Sequence, residues 1–114
     1  MKTSADHHVL SLVTTVGSLE DAQRLASRLL DARLAACVQV EAGVESSYRW
    51  RGALCKDSEV RVTIKSLPCH RAALQALFDQ HHPYQRPQFL SSVMAASPAY
   101  AQWVQDEVAQ ASAS

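Results

Sequence analysis

The side chains best suited to chemistry fall in a few short stretches of the 114-residue chain. The densest is His81-His82-Pro83-Tyr84. Two imidazoles at a helix end are nitrogen donors for copper or zinc. Neighbouring helical residues point about 100° apart, so both chelate one ion only if the second lies in the loop or neighbouring subunits contribute. A structural alternative is two histidines favoured by the dipole at a helix C-terminus. Cys37 sits in apolar surroundings, Ala35-Ala36-Cys37-Val38. With no cation nearby to lower its pKa, it reads as a buried inert thiol rather than a nucleophile. Cys55 falls near a hairpin tip, and Cys69-His70 opens a helix, where the dipole favours thiolate. Glu59 and Lys65 lie on the polar face of a strand, either solvated or paired with another chain. No glycine-rich phosphate loop, HExxH motif or Ser-His-Asp order occurs.

The element that must position these groups runs from Ala35 to Lys65. From Val38 to Trp50 apolar and polar residues alternate for thirteen positions, the pattern of one long half-buried strand. A second alternating run places Val60, Val62 and Ile64 against Glu59, Arg61, Thr63 and Lys65. Arg51-Gly52 supplies the turn. A two-residue turn there would pair Val44 with Glu59 and set every apolar residue against a polar one. The parity must therefore change, through a three-residue turn or a bulge, for which Gly43 is the natural site. Such a hairpin spans about 50 Å, whereas a domain of this size is about 35 Å across. It overhangs its domain or folds back sharply. An overhanging ribbon carrying Val, Tyr and Trp is not stable alone and has open edges, which predicts an oligomer.

Around the hairpin the pattern is regular. Val9–Thr15 reads as a first strand. Ser18 caps a helix whose inner stripe is Ala22, Leu25, Ala26, Leu29 and Leu30. Ser66 is expected to cap a second helix, with Pro68 in its first turn, a stripe of Leu74, Leu77 and Phe78, and Pro83 as its stop. Phe89–Met94 is a last strand. Ser97-Pro98 starts a third helix with Tyr100, Trp103, Val104 and Val108 on its inner face. Residues 1–7 and 109–114 are expected to be disordered. The order βαββαβα in one domain predicts an α+β, ferredoxin-like sandwich: helices on one face of a four-stranded sheet, the other face bare.

Composition narrows the classes. Eleven basic and eleven acidic residues balance, which favours neither nucleic acid nor an anionic membrane. Three cysteines without a CxxC pair argue for a reducing, cytoplasmic compartment. No apolar run is long enough for a membrane span.

The ordered set Leu34-Ala35-Ala36-Cys37-Val38, Gly43-Val44-x-Ser46-x-Tyr48-x-Trp50-x-Gly52, Glu59, Ile64-Lys65, His82-Pro83-Tyr84 with Pro87, and Pro98-x-Tyr100-x-x-Trp103 resembles the CutA divalent-ion tolerance family. The match covers about Leu12 to Val108. The resemblance implies a ferredoxin-like subunit in a tight homotrimer, similar in architecture to PII signalling proteins, and a link to divalent metals, copper especially. It implies no settled reaction. Cys37, Trp50, Glu59, Lys65 and Tyr84 become candidates for a cleft between subunits, and His81 and His82 for a metal site. Many members carry glutamate where this chain has Gln85 and Gln88, and some carry cysteine at Val13. A Cu²⁺ site here would accordingly be open and weak. No organic cofactor is expected. The leading function is non-catalytic metal tolerance. The alternative is a PII-like sensor holding a small ligand between subunits. An enzyme using Glu59, Lys65 and Tyr84 is least favoured, since no activated nucleophile is visible.

Overall fold

A computed structural model describes residues 7–110. Eight segments follow in order: β1 (His8–Val16), α1 (Leu19–Asp31), β2 (Cys37–Trp50), β3 (Ala53–Ser66), a 3₁₀ turn (Pro68–His70), α2 (Arg71–His81), β4 (Leu90–Ala95) and α3 (Pro98–Glu107). The strands form one sheet in the order β2-β3-β1-β4, with antiparallel neighbours throughout. This is the expected ferredoxin-like arrangement with a long central hairpin and a C-terminal helix.

Alternation assigns the faces. Leu10, Leu12 and Val16 of β1 and Val60, Val62 and Ile64 of β3 point to one side. There they are buried with Ala22, Leu25 and Leu29 of α1 and Leu74 and Phe78 of α2. α1 is fixed at its start by the Ser18 hydroxyl, which accepts from the Asp21 amide. Of its expected stripe, Leu30 remains exposed.

Three expectations need correction. α3 does not join α1 and α2; its Ala101, Val104 and Val108 bury Val9 on the opposite face of the sheet. These residues, at i, i+3 and i+7, define the inner face, while Tyr100 and Trp103 stack on each other beside it at 5.8 Å and stay partly exposed. Ser66 caps no helix: it ends β3, pairs with Leu10 and is fully buried, while Leu67 precedes the 3₁₀ turn without a side-chain cap. Finally, Ala109 is held in place. Its amide donates to the Arg33 carbonyl and its own carbonyl meets His70 Nε2. The other terminal positions expected to be disordered fall, except for His7 and Gln110, outside the described residues.

The hairpin settles its own register. Arg51 and Gly52 both have positive φ, 51° and 81°, as a two-residue type I′ turn requires. From Trp50↔Ala53 to Val44↔Glu59 the strands therefore keep the direct pairing of a two-residue turn, which sets Arg49 against Leu54 and Val44 against Glu59. A bulge between Glu41 and Val44 then shifts the register. Gly43, at φ 81°, supplies the left-handed residue. Inside the bulge Val38 faces Ile64 and Val40 faces Val62, apolar against apolar. The same bulge turns the outer half of β2 to the other face of the sheet. The molecule measures 54 × 25 × 23 Å, so the hairpin does overhang the rest.

Candidate functional site

Turning over the outer half of β2 creates a surface that the core does not use. Val44, Ser46, Tyr48 and Trp50 now share a face with Glu59, Asp57, Cys55 and Ala53. The loop after α2 runs alongside. Together the outer hairpin, the end of β1 at Thr15 and Gly17, and the Tyr84–Gln88 loop enclose an open cleft of about 570 Å³.

His82 lies behind the cleft and anchors the loop that walls it. It follows α2 in extended backbone, and its ring is buried between Phe78 and Tyr84. Its Nδ1 accepts the Tyr84 amide at 3.1 Å, which puts the proton of the neutral ring on Nε2, 2.9 Å from Thr14 Oγ1. Burial lowers its pKa below the usual 6.5, and hydrogen bonding at Thr15 opposes the shift. The ring therefore ties the loop to β1 and aims Tyr84 past the β1 terminus.

Tyr84 reaches Glu59 across that terminus. Its hydroxyl donates to Glu59 Oε2 at 2.6 Å. Burial, with the carboxylate's demand for the proton, raises the phenol pKa. Tyr48 donates in the same way to Asp57, and this bond raises its pKa to about 12. At the hairpin tip Arg51 and Arg86 lie over the Trp50 ring, 5.6 and 5.8 Å from its centre. Arg51 also donates to Gln85 at 3.4 Å.

The sequence-derived candidates thus divide into groups. Trp50, Glu59 and Tyr84 line one cleft. Cys37 and Lys65 face each other at the opposite end of the hairpin, and Lys65 donates to Gln39. His81 is exposed at the end of α2, whereas both nitrogens of His82 are occupied within the chain. Among the described residues no three His, Cys, Asp or Glu side chains gather as a metal centre. Donors for a closed divalent-metal site are therefore not assembled within one copy.

Tyr48, Asp57 and Arg86 belong to the cleft and were not singled out from the sequence. The signal for the first two was present: the direct two-residue register places Asp57 across from Ser46, next to Tyr48. Arg86 lies in a loop without periodicity and gave no signal.

The comparisons with known proteins follow this geometry. A family model described as CutA1 divalent ion tolerance protein matches residues 10–107. A divalent-cation tolerance protein CutA of Pectobacterium atrosepticum is 49% identical over 69 residues, 60% of this chain and 63% of that protein. The chain thus spans less than two thirds of that relative's length. One from Yersinia pestis is 39% identical over 83 residues, covering 73% of this chain and 70% of its own. Among solved structures, CutA1 from a psychrotrophic Shewanella is 34% identical with a TM-score of 0.84, covering 90% of this chain and 96% of its own. CutA from Synechococcus elongatus is 33% identical with a TM-score of 0.85, covering 96% and 95%. With the sheet order, the bulged hairpin and a family match across nearly all of its length in agreement, this chain belongs to the CutA1 divalent ion tolerance protein family.

Proposed function

We propose that the chain acts in divalent-cation tolerance as a non-catalytic, homotrimeric binding protein, with the cleft beside the outer hairpin as its working site. One observation carries this reading. The outer hairpin leaves the core, turns its aromatic face over at Gly43, and meets the His82-anchored loop around a cleft lined by Trp50, Glu59 and Tyr84. The hydroxyls that meet carboxylates there, Tyr84 on Glu59 and Tyr48 on Asp57, are held protonated by raised pKa values rather than activated, which supports binding rather than turnover. The trimer is supported by the overhang and by exposed apolar residues along the free edge and face of the sheet, among them Leu90, Val93 and Met94. In such a trimer Cys37 and Lys65 would lie where a neighbouring copy's hairpin passes. Light scattering at low micromolar concentration is expected to give three times 12.5 kDa; a monomer at that concentration would remove the assembly from this reading. Replacing Trp50 by Ala is expected to abolish retention of small molecules by the purified protein, read by native mass spectrometry.

A second reading places a weak Cu²⁺ site at His81. The exposed imidazole at the α2 C-terminus favours it, with His82 joining only if its bonds to Thr14 and Tyr84 open. The remaining donors would come from neighbouring copies or water. Replacing both histidines by alanine should abolish Cu²⁺ binding and leave the trimer assembled. Undiminished copper titration by that variant would move the site elsewhere.

A further inference from the structure

Within the cleft, charges of both signs stand apart without neutralising each other. Glu59 is only 8% exposed, yet no cationic side chain among the described residues pairs with it or with Asp57. Tyr84 satisfies Oε2 of Glu59 alone, and Oε1 makes no hydrogen bond among the described residues. With one neutral donor and no cation, the Glu59 carboxylate keeps acceptor sites, open toward the cleft, that a cationic donor would fill. At the other end, Arg51 and Arg86 lie over Trp50, and neither has a carboxylate partner among the described residues. Strand geometry keeps the ends apart. Asp57 pairs with Ser46 and Glu59 with Val44, four and six residues along β2 from Trp50, so the two ends stand about 13 to 20 Å apart along the strand before the side chains of Glu59 and the arginines reach inward.

We propose that the cleft binds a small zwitterion, its ammonium end received by Glu59 and Asp57 and its carboxylate end by Arg86 and Arg51, with its middle against Tyr48 and Trp50. This rests on the cleft being the working site, as argued above. A lone metal cation would leave the arginines unanswered. A simple anion would leave the buried carboxylate unanswered and be repelled by it. A molecule carrying both charges about 10 Å apart answers both ends at once.

The test is calorimetric titration of the full-length protein with ω-aminooctanoate, whose extended length is about 10 Å, against octanoate and octylamine as single-ended controls. ω-Aminooctanoate is expected to bind at least about tenfold more tightly than either control. Glu59→Gln should abolish its advantage over octanoate. Arg86→Gln should abolish its advantage over octylamine. Equal affinity for the three probes, or no binding of the zwitterion, would overturn the proposal. A neighbouring copy's Lys65 is the competing source of the missing cation. If Glu59→Gln and Lys65→Ala lower Tm and trimer mass alike while the probe preference is unchanged, Glu59 is an assembly contact and the proposal fails. If Trp50→Ala removes binding of octanoate while the zwitterion shows no advantage in the parent, the cleft remains the working site and only the ligand class is wrong.

Discussion

One hairpin holds two regions with opposite logic, divided at Gly43. Inward of the bulge, Val38 faces Ile64 and Val40 faces Val62, and Val62 and Ile64 are fully buried in the core. Outward of it, Val44 faces Glu59 and Leu54 faces Arg49. Tyr48 and Trp50 stay 40% and 37% exposed, and the carboxylates of Asp57 and Glu59 accept from tyrosine hydroxyls, one across the strand pair and one from the loop after α2. The inner half supplies stability. The outer half is held by strand pairing and a few side-chain bonds to the loop after α2, outside the core, and is free to carry function, in keeping with the tendency of sites to sit where burial contributes least. One extra residue in β2 separates the two tasks.

The largest test of this contrast compares Ile64→Ala with Leu54→Ala. Ile64 is fully buried, so its truncation leaves a cavity and should cost about 2–5 kcal/mol. Leu54 is 76% exposed near the tip, and the same truncation should stay within about 0.5 kcal/mol. Urea unfolding of both variants measures the difference. Similar losses would mean that the outer hairpin is buried in the assembled protein, which sharpens the case for the trimer.

Next comes the link between the two regions. Thr14→Val keeps the shape of the core but removes the partner of His82 Nε2, at an expected cost of about 1–3 kcal/mol. The loop carrying Tyr84 should loosen with it. His82 also gives stability a pH dependence. Its folded pKa lies below the unfolded value near 6.5, so the unfolded chain takes up protons first as pH falls. The stabilisation is complete above about pH 6.5 and is lost as pH falls toward the folded pKa. His82→Gln should flatten that part of the profile, measured as Tm from pH 8 to pH 5. A Tm slope unchanged in the variant would assign the dependence to another group.

Gly43→Ala addresses the divider itself. A Cβ there meets nothing within 4 Å, so the cost is that of the backbone at φ 81° alone, about 1 kcal/mol. Because the bulge sets the facing of Tyr48 and Trp50, ligand retention should fall more than stability. A variant that loses stability but keeps full retention would show that the cleft tolerates an altered register.

Much of this was legible in the sequence for a physical reason. Period-two alternation and the Arg51-Gly52 turn specify the hairpin, and the clash of parity at Val44 and Glu59 already demanded a three-residue turn or a bulge, of which the chain takes the bulge. Hydrophobic spacing found α1 and the buried side of α2. On α3 it found Val104 and Val108 but misjudged the rest, because Tyr100 and Trp103 are large enough to look like core while the smaller Ala101 does the packing. Size is a poor guide to burial on a helix apolar on more than one side. The role of His82 was not legible either. Which ring nitrogen bonds to which strand depends on tertiary placement that local spacing does not encode.

The smallest expected effect is also the most local. Tyr48 and Asp57 are exposed on the outer hairpin, so their bond adds little to stability. It should nevertheless be visible in titration. The carboxylate accepts the phenolic proton and holds it in place, which raises the Tyr48 pKa to about 12, two units above an ordinary tyrosine. Asp57→Asn removes the negative charge and leaves a weaker acceptor. Phenolate formation at Tyr48 should then move down toward pH 10, followed by absorbance on a variant with the other tyrosines changed to Phe. Tyr84→Phe, part of that background, also leaves Glu59 without its donor. The titration is therefore repeated with Tyr84 retained, whose own pKa lies higher still because of burial. If Asp57→Asn leaves the titration of Tyr48 where it was, the outer face is organised by something other than its paired hydroxyls and carboxylates, and the contrast with the inner half would have to rest on burial alone.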